Sequence, residues 1–138
     1  MVSVTLCIMK IFLKTDTSTL TRTAINKIAK ETIKYCVQTL GTKPSLELPA
    51  VSVVKRKSRR YGQYDPIKNK IDIHYNICGD VKMVIKTIIH EYTHSLQNLN
   101  NYHIVLKKVG YDKHPQEIEA CKNEKLYSPC WKQIKQYI

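Results

Sequence analysis

Apolar residues along the chain recur at two spacings, one typical of helices and one typical of strands. Between residues 19 and 40 they recur every three or four positions, as on one face of an α-helix. Gly41 follows directly, at the position where a glycine often ends a helix. The apolar face consists of Ala24, Ile25, Ile28, Ile33, Cys36, Val37 and Leu40. This pattern predicts an amphipathic helix over residues 19–40.

Two further helices are predicted from capping residues and periodicity. Asp80 can accept a hydrogen bond from the free backbone amides at the start of a helix that runs to about residue 99. Its apolar arc contains Val81, Val84, Ile85, Ile88, Ile89, Tyr92, Leu96 and Leu99. A polar segment, "QNLNNYH", follows it. Pro115 suits the first turn of a short third helix over residues 116 to about 126.

Segments rich in β-branched residues predict a small sheet. Residues 2–13 and the segment "AVSVVKR" are typical of strands, and "YGQYDPIKNKIDIHYN" is typical of a hairpin with the turn "DPIKN". We therefore expect an α+β fold in one domain over residues 1–138. Its antiparallel or mixed sheet of three or four strands would pack with the first two helices, and the short third helix would complete it.

The composition is that of a folded chain and excludes the low-complexity classes. Apolar residues make up 43% of the sequence, with only four glycines and five prolines. The five cysteines are scattered and never form C-x-x-C, which argues against a disulfide framework. The apolar stretch near the start lacks the pattern of a signal peptide or membrane span. These features predict an intracellular protein with no membrane partner, cytoplasmic or, in a eukaryotic host, nuclear.

Positive charge is concentrated in one short run. The chain has 23 Lys and Arg against 11 Asp and Glu, for a net charge of +12. The segment "KRKSRR" carries Lys55, Arg56, Lys57, Arg59 and Arg60. Such a run can contact nucleic-acid phosphates or act as a nuclear-import signal, and a solvated strand end explains it equally well.

The segment "IIHEYTHSLQ" contains the candidate chemistry. On a helix, residues four apart project about 40° apart, so His90 and His94 can share one metal ion. Both lie outside the apolar arc. Glu91 lies about 100° from His90, close enough to reach a water on the metal and act as general base. The three residues predict a catalytic zinc site.

The stretch "TIIHEYTHSL" resembles the H-E-x-x-H signature of zincin metallopeptidases. That resemblance implies a zinc metalloendopeptidase with one Zn²⁺ per chain and a peptide or protein substrate. The metzincin subclass is excluded, because Gln97 and Asn100 stand where its glycine and third histidine would be.

A catalytic zinc has three protein ligands and an open position. The segment "HPQEIEA" is similar to the H-P-x-E-x-E-A stretch of small phage and plasmid metallopeptidases of gluzincin type, which implies Glu117 as the third ligand. The 22 residues between His94 and Glu117 let a following helix return beside the first. Glu119 is the alternative acid, and His114 loosely resembles the third ligand of SprT-like proteases. Cys121 stands where many gluzincins carry an acid or amide that orients the ligands.

Two smaller features have a functional and a structural explanation. Gly62 and Tyr64 match the Gly-x-Tyr strand that resembling families place ahead of the active helix, where an edge strand can hold an extended peptide. A tight hairpin explains them equally well. Tyr111 can donate a hydrogen bond to the oxyanion of the reaction, but in a chain with nine tyrosines packing is as good an explanation.

Three functions follow from these observations. The first is a zinc metallopeptidase in which Glu91 takes a proton from the attacking water. The second is an SprT-like protease acting on proteins held on DNA, which requires the basic run to bind DNA. The third is a non-catalytic module in which zinc only joins the helices, so that Glu91→Gln would have no effect.

Overall fold

The computed structural model describes residues 10–44 and 46–138. The first half of this part contains one long helix and three short strands: α1 (Arg22–Leu40), β1 (Ala50–Val54), β2 (Gly62–Asp65) and β3 (Lys70–His74). The second half is helical: α2 (Tyr75–Cys78), α3 (Val81–Leu96), α4 (Tyr102–Val109), α5 (Pro115–Asn123) and α6 (Tyr127–Ile134). The predicted α+β fold is confirmed.

Helix α1 begins three residues later than predicted and ends at the predicted residue. The side chain of Thr21 accepts a hydrogen bond from the backbone N–H of Ala24 and so caps the first turn. Gly41 ends the helix with a φ of 83°, a conformation that glycine adopts without steric cost. The buried face of α1, which includes Ile25 and Ile28, packs against α3.

Helix α3 is the centre of the fold. Asp80 caps it by accepting a hydrogen bond from the N–H of Met83 at 2.8 Å, as predicted. The helix ends at Leu96, because the backbone of Gln97 is extended. It packs against α1, β2, β3 and α5. The predicted apolar arc is buried at Val81, Val84, Ile85, Ile88, Ile89 and Tyr92.

The sheet is mixed and has the strand order β1-β3-β2 in the part of the chain that the structure describes. β2 and β3 form the predicted antiparallel hairpin, and β1 pairs with β3 in parallel. Ile71 and Ile73 of β3 face the core, whereas Asp72 and His74 face the opposite side, because side chains alternate along a strand. β2 is therefore an edge strand that lies beside α3.

Three sequence-based expectations need correction or qualification. Of the strand predicted over residues 2–13, residues 2–9 lie outside the described residues, and residues 10–13 form no strand. The chain between α3 and Pro115 contains α4, which the sequence did not reveal because none of its residues is buried. α6 was also missed. Pro129 lies in its first turn, where the missing N–H has no partner within the helix.

The cysteines of the described residues are free thiols. Cys36, Cys78 and Cys130 are buried, and Cys121 is exposed. Cys7 lies outside the described residues. No helix in the described part of the chain has the length and apolarity needed to cross a membrane.

Candidate metal centre

Helices α3 and α5 bring three predicted residues together in a buried cluster. Oε1 of Glu117 lies 3.0 Å from Nε2 of His90 and 3.1 Å from Nε2 of His94. The two Nε2 atoms are 3.2 Å apart. One turn of α3 presents both imidazoles on the same side, and α5 returns alongside α3 to place the carboxylate between them. This cluster can hold a metal ion.

Gln97 fixes the proton of His94. Its amide nitrogen donates hydrogen bonds to the carbonyl of Gln116 at 3.0 Å and to Oε1 of Glu119 at 2.8 Å. The amide oxygen of Gln97 therefore faces His94, 2.7 Å from Nδ1. Because an amide oxygen only accepts, Nδ1 of His94 must carry a hydrogen. In the neutral imidazole, the lone pair is then on Nε2, inside the cluster.

Glu124 likewise fixes the hydrogen of His90 on Nδ1. Its Oε2 atom lies 2.8 Å from Nδ1 of His90, so that Nδ1–H donates to the carboxylate. Lys86 lies 3.8 Å from the other carboxylate oxygen and balances its charge. Metal-binding histidines generally donate a hydrogen bond from the N–H of their second ring nitrogen in this way, which orients the ring and raises its basicity.

The consequence is that three acceptors converge on one point. Two imidazole lone pairs and one carboxylate oxygen, 3.0–3.2 Å apart, repel one another unless a cation or a proton lies between them. Tetrahedral zinc with bonds of about 2.0–2.1 Å holds its ligand atoms about 3.3 Å apart. The donor set and its spacing fit such an ion.

The pKa values reflect the same convergence. Burial disfavours a charged His90, but the hydrogen bonds to Glu117 and Glu124 outweigh it and raise the pKa of His90 to about 10. Burial of Glu117 is likewise outweighed by hydrogen bonds from His90, His94 and Tyr102, which hold its pKa well below the usual value. When no metal is bound, the cluster therefore keeps a proton on His90 beside the ionised carboxylate, and a metal ion would displace that proton.

Glu91 lies at the edge of the cluster. Its Oε2 atom is 3.9 Å from Nε2 of His90, too far for direct sharing of a proton. Burial raises the pKa of Glu91, and the neighbouring histidines and the backbone N–H of Tyr64 offset part of that rise. A carboxylate with a raised pKa beside the metal position is suited to accept and return a proton.

Tyr102 contacts the third ligand, and His114 in turn contacts Tyr102. The hydroxyl of Tyr102 donates a hydrogen bond to Oε2 of Glu117, the oxygen that does not face the histidines. His114 stacks on the Tyr102 ring with centroids 4.3 Å apart. Its Nδ1 accepts from the N–H of Gln116, and its Nε2–H donates to the Tyr102 carbonyl. Both nitrogens of His114 are thus occupied, one in capping α5 and the other in a hydrogen bond to α4, and neither joins the cluster.

Glu119, the remaining alternative for the third ligand, also lies outside the three-atom cluster, as does Cys121. Glu119 contacts Gln97 and so acts on His94 only through that amide. Cys121 lies near His90 and Glu124, and these three side chains form a second possible metal-binding group. Burial and nearby carboxylates raise the pKa of the Cys121 thiol, which favours the protonated form over a thiolate ligand.

Sequence reasoning missed three contributors, two of which had a signal. Gln97 follows His94 by three residues, on the same side of the helix axis. Glu124 follows Glu117 by seven, two helical turns later, and so shares its face. Tyr102 had no signal, because nothing in the sequence relates it to Glu117 before the chain folds.

A cleft of about 780 Å³ opens in front of the cluster. Strand β2 forms one wall, and Glu91 and Tyr111 border the cleft. Gly62 is required in this wall: a Cβ there would lie 2.7 Å from the carbonyl oxygen of Asp72 and 2.9 Å from Cγ2 of Thr87. Tyr111 is half exposed, and burial together with the charge of Glu117 raises its pKa.

Comparison of the chain with protein-family models, with curated proteins and with solved structures found no match. What the site does must therefore be argued from its own geometry.

Proposed function

We propose that the protein is a zinc-dependent metallopeptidase whose metal is held by His90, His94 and Glu117. The observation that carries the proposal is the convergence of two imidazole lone pairs and one carboxylate oxygen within 3.2 Å of one another. Glu124 and Gln97 hold both N–H groups outward and so fix this arrangement. Two histidines and one glutamate are a known ligand set of catalytic zinc.

The position of the cluster favours a catalytic over a purely structural metal. Structural zinc sites are closed by four protein ligands, whereas catalytic sites keep one position open for water or substrate. Here His90, His94 and Glu117 line the cleft together with Glu91. Zinc, when bound, would act as a Lewis acid that lowers the pKa of a water and polarises a carbonyl.

The residues around the cluster have distinct roles in this proposal. Glu91 accepts a proton from the water that attacks the peptide carbonyl and returns it to the leaving amine. Tyr111, which also borders the cleft, donates a hydrogen bond to the oxygen on which negative charge develops. The edge strand β2 holds the substrate extended through backbone hydrogen bonds.

Zinc content per chain tests the ligand set. Wild type, Glu117→Ala, Glu119→Ala and His114→Ala are loaded with zinc, dialysed and analysed by elemental mass spectrometry, and circular dichroism checks their fold. We expect about one zinc per chain in wild type and in the last two variants, and loss of zinc with Glu117→Ala. A folded, metal-replete wild type without zinc would refute the proposal.

A peptide-library cleavage assay tests the activity. We expect zinc-loaded wild type to cleave extended peptides and a chelator to abolish cleavage. Zinc binding without cleavage, and with no difference between wild type and Glu91→Gln, would instead identify a zinc-stabilised module without catalysis.

A further inference from the structure

The side of the sheet away from the core carries a second polar pocket, of about 390 Å³. We call it the outer pocket. Its lining includes four cationic side chains together with an aspartate and a histidine of β3: Arg56, Lys57, Lys68, Lys70, Asp72 and His74. None of them belongs to the metal cluster.

The side chains of Asn76 and His74 form hydrogen bonds with the backbone of the basic run, residues 55–60, and so fix its position beside this pocket. The side chain of Asn76 accepts from the N–H of Arg56 at 3.0 Å and donates to its carbonyl at 2.9 Å. The carbonyl of Arg60 lies 2.8 Å from Nδ1 of His74. The run is therefore divided: Arg56 and Lys57 line the outer pocket, and Arg59 and Arg60 line the metal cleft.

His74 has an unsatisfied nitrogen. Because the Arg60 carbonyl can only accept, Nδ1 of His74 carries the hydrogen, and Nε2 has no partner among the described residues although His74 is 3% exposed. Within the same part of the chain, Oδ1 of Asp72 has no hydrogen bond, and Nζ of Lys70 lies 3.5 Å from it. Buried polar atoms without partners are uncommon in folded proteins, and each calls for an explanation such as a catalytic role or a bound water or ion.

The charges of the pocket select the ligand. Asp65 is occupied, since its carboxylate accepts the backbone N–H groups of Ile67 and Lys68 in the hairpin turn. Among the described residues, Arg56 and Lys57 form no ion pair. Cations on two separate segments, the basic run and the hairpin, suit successive negative charges along one extended ligand.

We propose that the outer pocket binds the phosphodiester backbone of a nucleic acid. Phosphate oxygens accept hydrogen bonds from Arg56, Lys57 and Lys68, and the acceptors His74 Nε2 and Asp72 Oδ1 face the sugar hydroxyls of the bound strand. The site is separate from the metal cluster, so binding requires neither zinc nor peptidase activity.

The test uses the full chain and fluorescence anisotropy with dye-labelled single-stranded 12-mers of RNA and of DNA at several salt concentrations. The double variant Arg56→Glu/Lys57→Glu is compared with Lys27→Glu/Lys30→Glu, which makes the same charge change on the exposed face of α1. We expect the first variant to bind about tenfold or more weakly, with the slope of log K against log salt reduced by about 1.4. The α1 control should retain most of the affinity.

Equal loss of affinity in both double variants would overturn the proposal, because net charge alone would then explain binding. Competition by polyglutamate as effective as by unlabelled oligonucleotide would also overturn it in favour of an acidic protein partner. The RNA and DNA arms distinguish the sugar: tighter RNA binding would indicate that ribose hydroxyls pair with the acceptors of β3.

A variant of His74 tests the pocket at constant formal charge. In His74→Asn the side-chain amide nitrogen can replace Nδ1 as donor to the Arg60 carbonyl, but nothing replaces Nε2. We expect a thermal melt close to wild type and clearly weaker binding of the RNA 12-mer, whose ribose hydroxyls are the donors that Nε2 can accept from. Wild-type affinity in this variant would overturn the assignment of Nε2 to the ligand.

Discussion

The metal cluster and the outer pocket both contain buried histidines, but they satisfy them differently. In the cluster, the side chains of Gln97, Glu117 and Glu124 contact all four ring nitrogens of His90 and His94. In the outer pocket, a backbone carbonyl contacts one nitrogen of His74, and no described residue pairs with the other. The first region brings carboxylates to its histidines, and the second surrounds its histidine with cations.

The difference indicates opposite ligand preferences at two sites on either side of one strand. Carboxylates beside neutral imidazoles attract a cation, and lysines and arginines beside an imidazole attract an anion. Strand β2 lies between the two sites, and its residue Gln63 borders both the cleft and the outer pocket. Changes to either region should therefore leave the ligand of the other in place.

The largest expected effect is on catalysis in the cluster. Glu91→Gln removes the general base while keeping the size of the side chain, and we expect kcat to fall about 10²–10⁴-fold with zinc content unchanged. Steady-state kinetics on a cleaved peptide, with metal analysis of the same samples, measure both. Oligonucleotide binding at the outer pocket is the internal control and should not change.

Removing the metal should lower the free energy of unfolding by the same amount whether or not the outer pocket is intact. With zinc at about 100 times its dissociation constant, binding adds about 2.7 kcal/mol to the free energy of unfolding, and a chelator removes it. Protons compete with zinc for His90, whose pKa is raised to about 10 in the metal-free cluster, so the effect should shrink progressively as the pH falls below about 10. Thermal melts of wild type and His74→Asn, with and without chelator, should show the same shift in both.

The groups that orient the cluster should tune metal affinity. Glu124→Ala deprives His90 Nδ1–H of its acceptor, and we expect zinc affinity to fall about 10–100-fold. Glu47→Ala removes the same charge from an exposed position and is the matched control. Competition titration with a fluorescent zinc chelator measures both variants. Equal affinities would show that Glu124 does not orient the ligand.

The smallest expected effect is on the wall between the two regions. In Gly62→Ala the added Cβ would approach the Asp72 carbonyl to 2.7 Å, so that β2 must shift, and we expect a loss of about 1–3 kcal/mol of stability. Gln63→Ala, on an exposed neighbour in the same strand, should cost much less. Urea denaturation compares the two variants. A Gly62→Ala protein as stable as wild type would contradict the close packing of β2 on β3.

Local features were predictable because their causes lie within a few residues. The periodicity and caps of α1 and α3, the hairpin, and the projection of His90 and His94 from one helix face all depend on neighbours in sequence. Glu117 was found through a sequence motif. α4 and α6 were not predicted, since one lacks a buried face and the other begins with a proline in its first turn.

The sequence by itself therefore determined the α+β class, the strong positive charge and the pairing of two histidines with a glutamate on one helix. Only the tertiary structure placed Glu124, Gln97 and Tyr102 around the cluster and divided the basic run between two surfaces. The reason is that these contacts join residues far apart in sequence or depend on the path of a loop. That path is set by how α5 packs on α3 and how β1 pairs with β3.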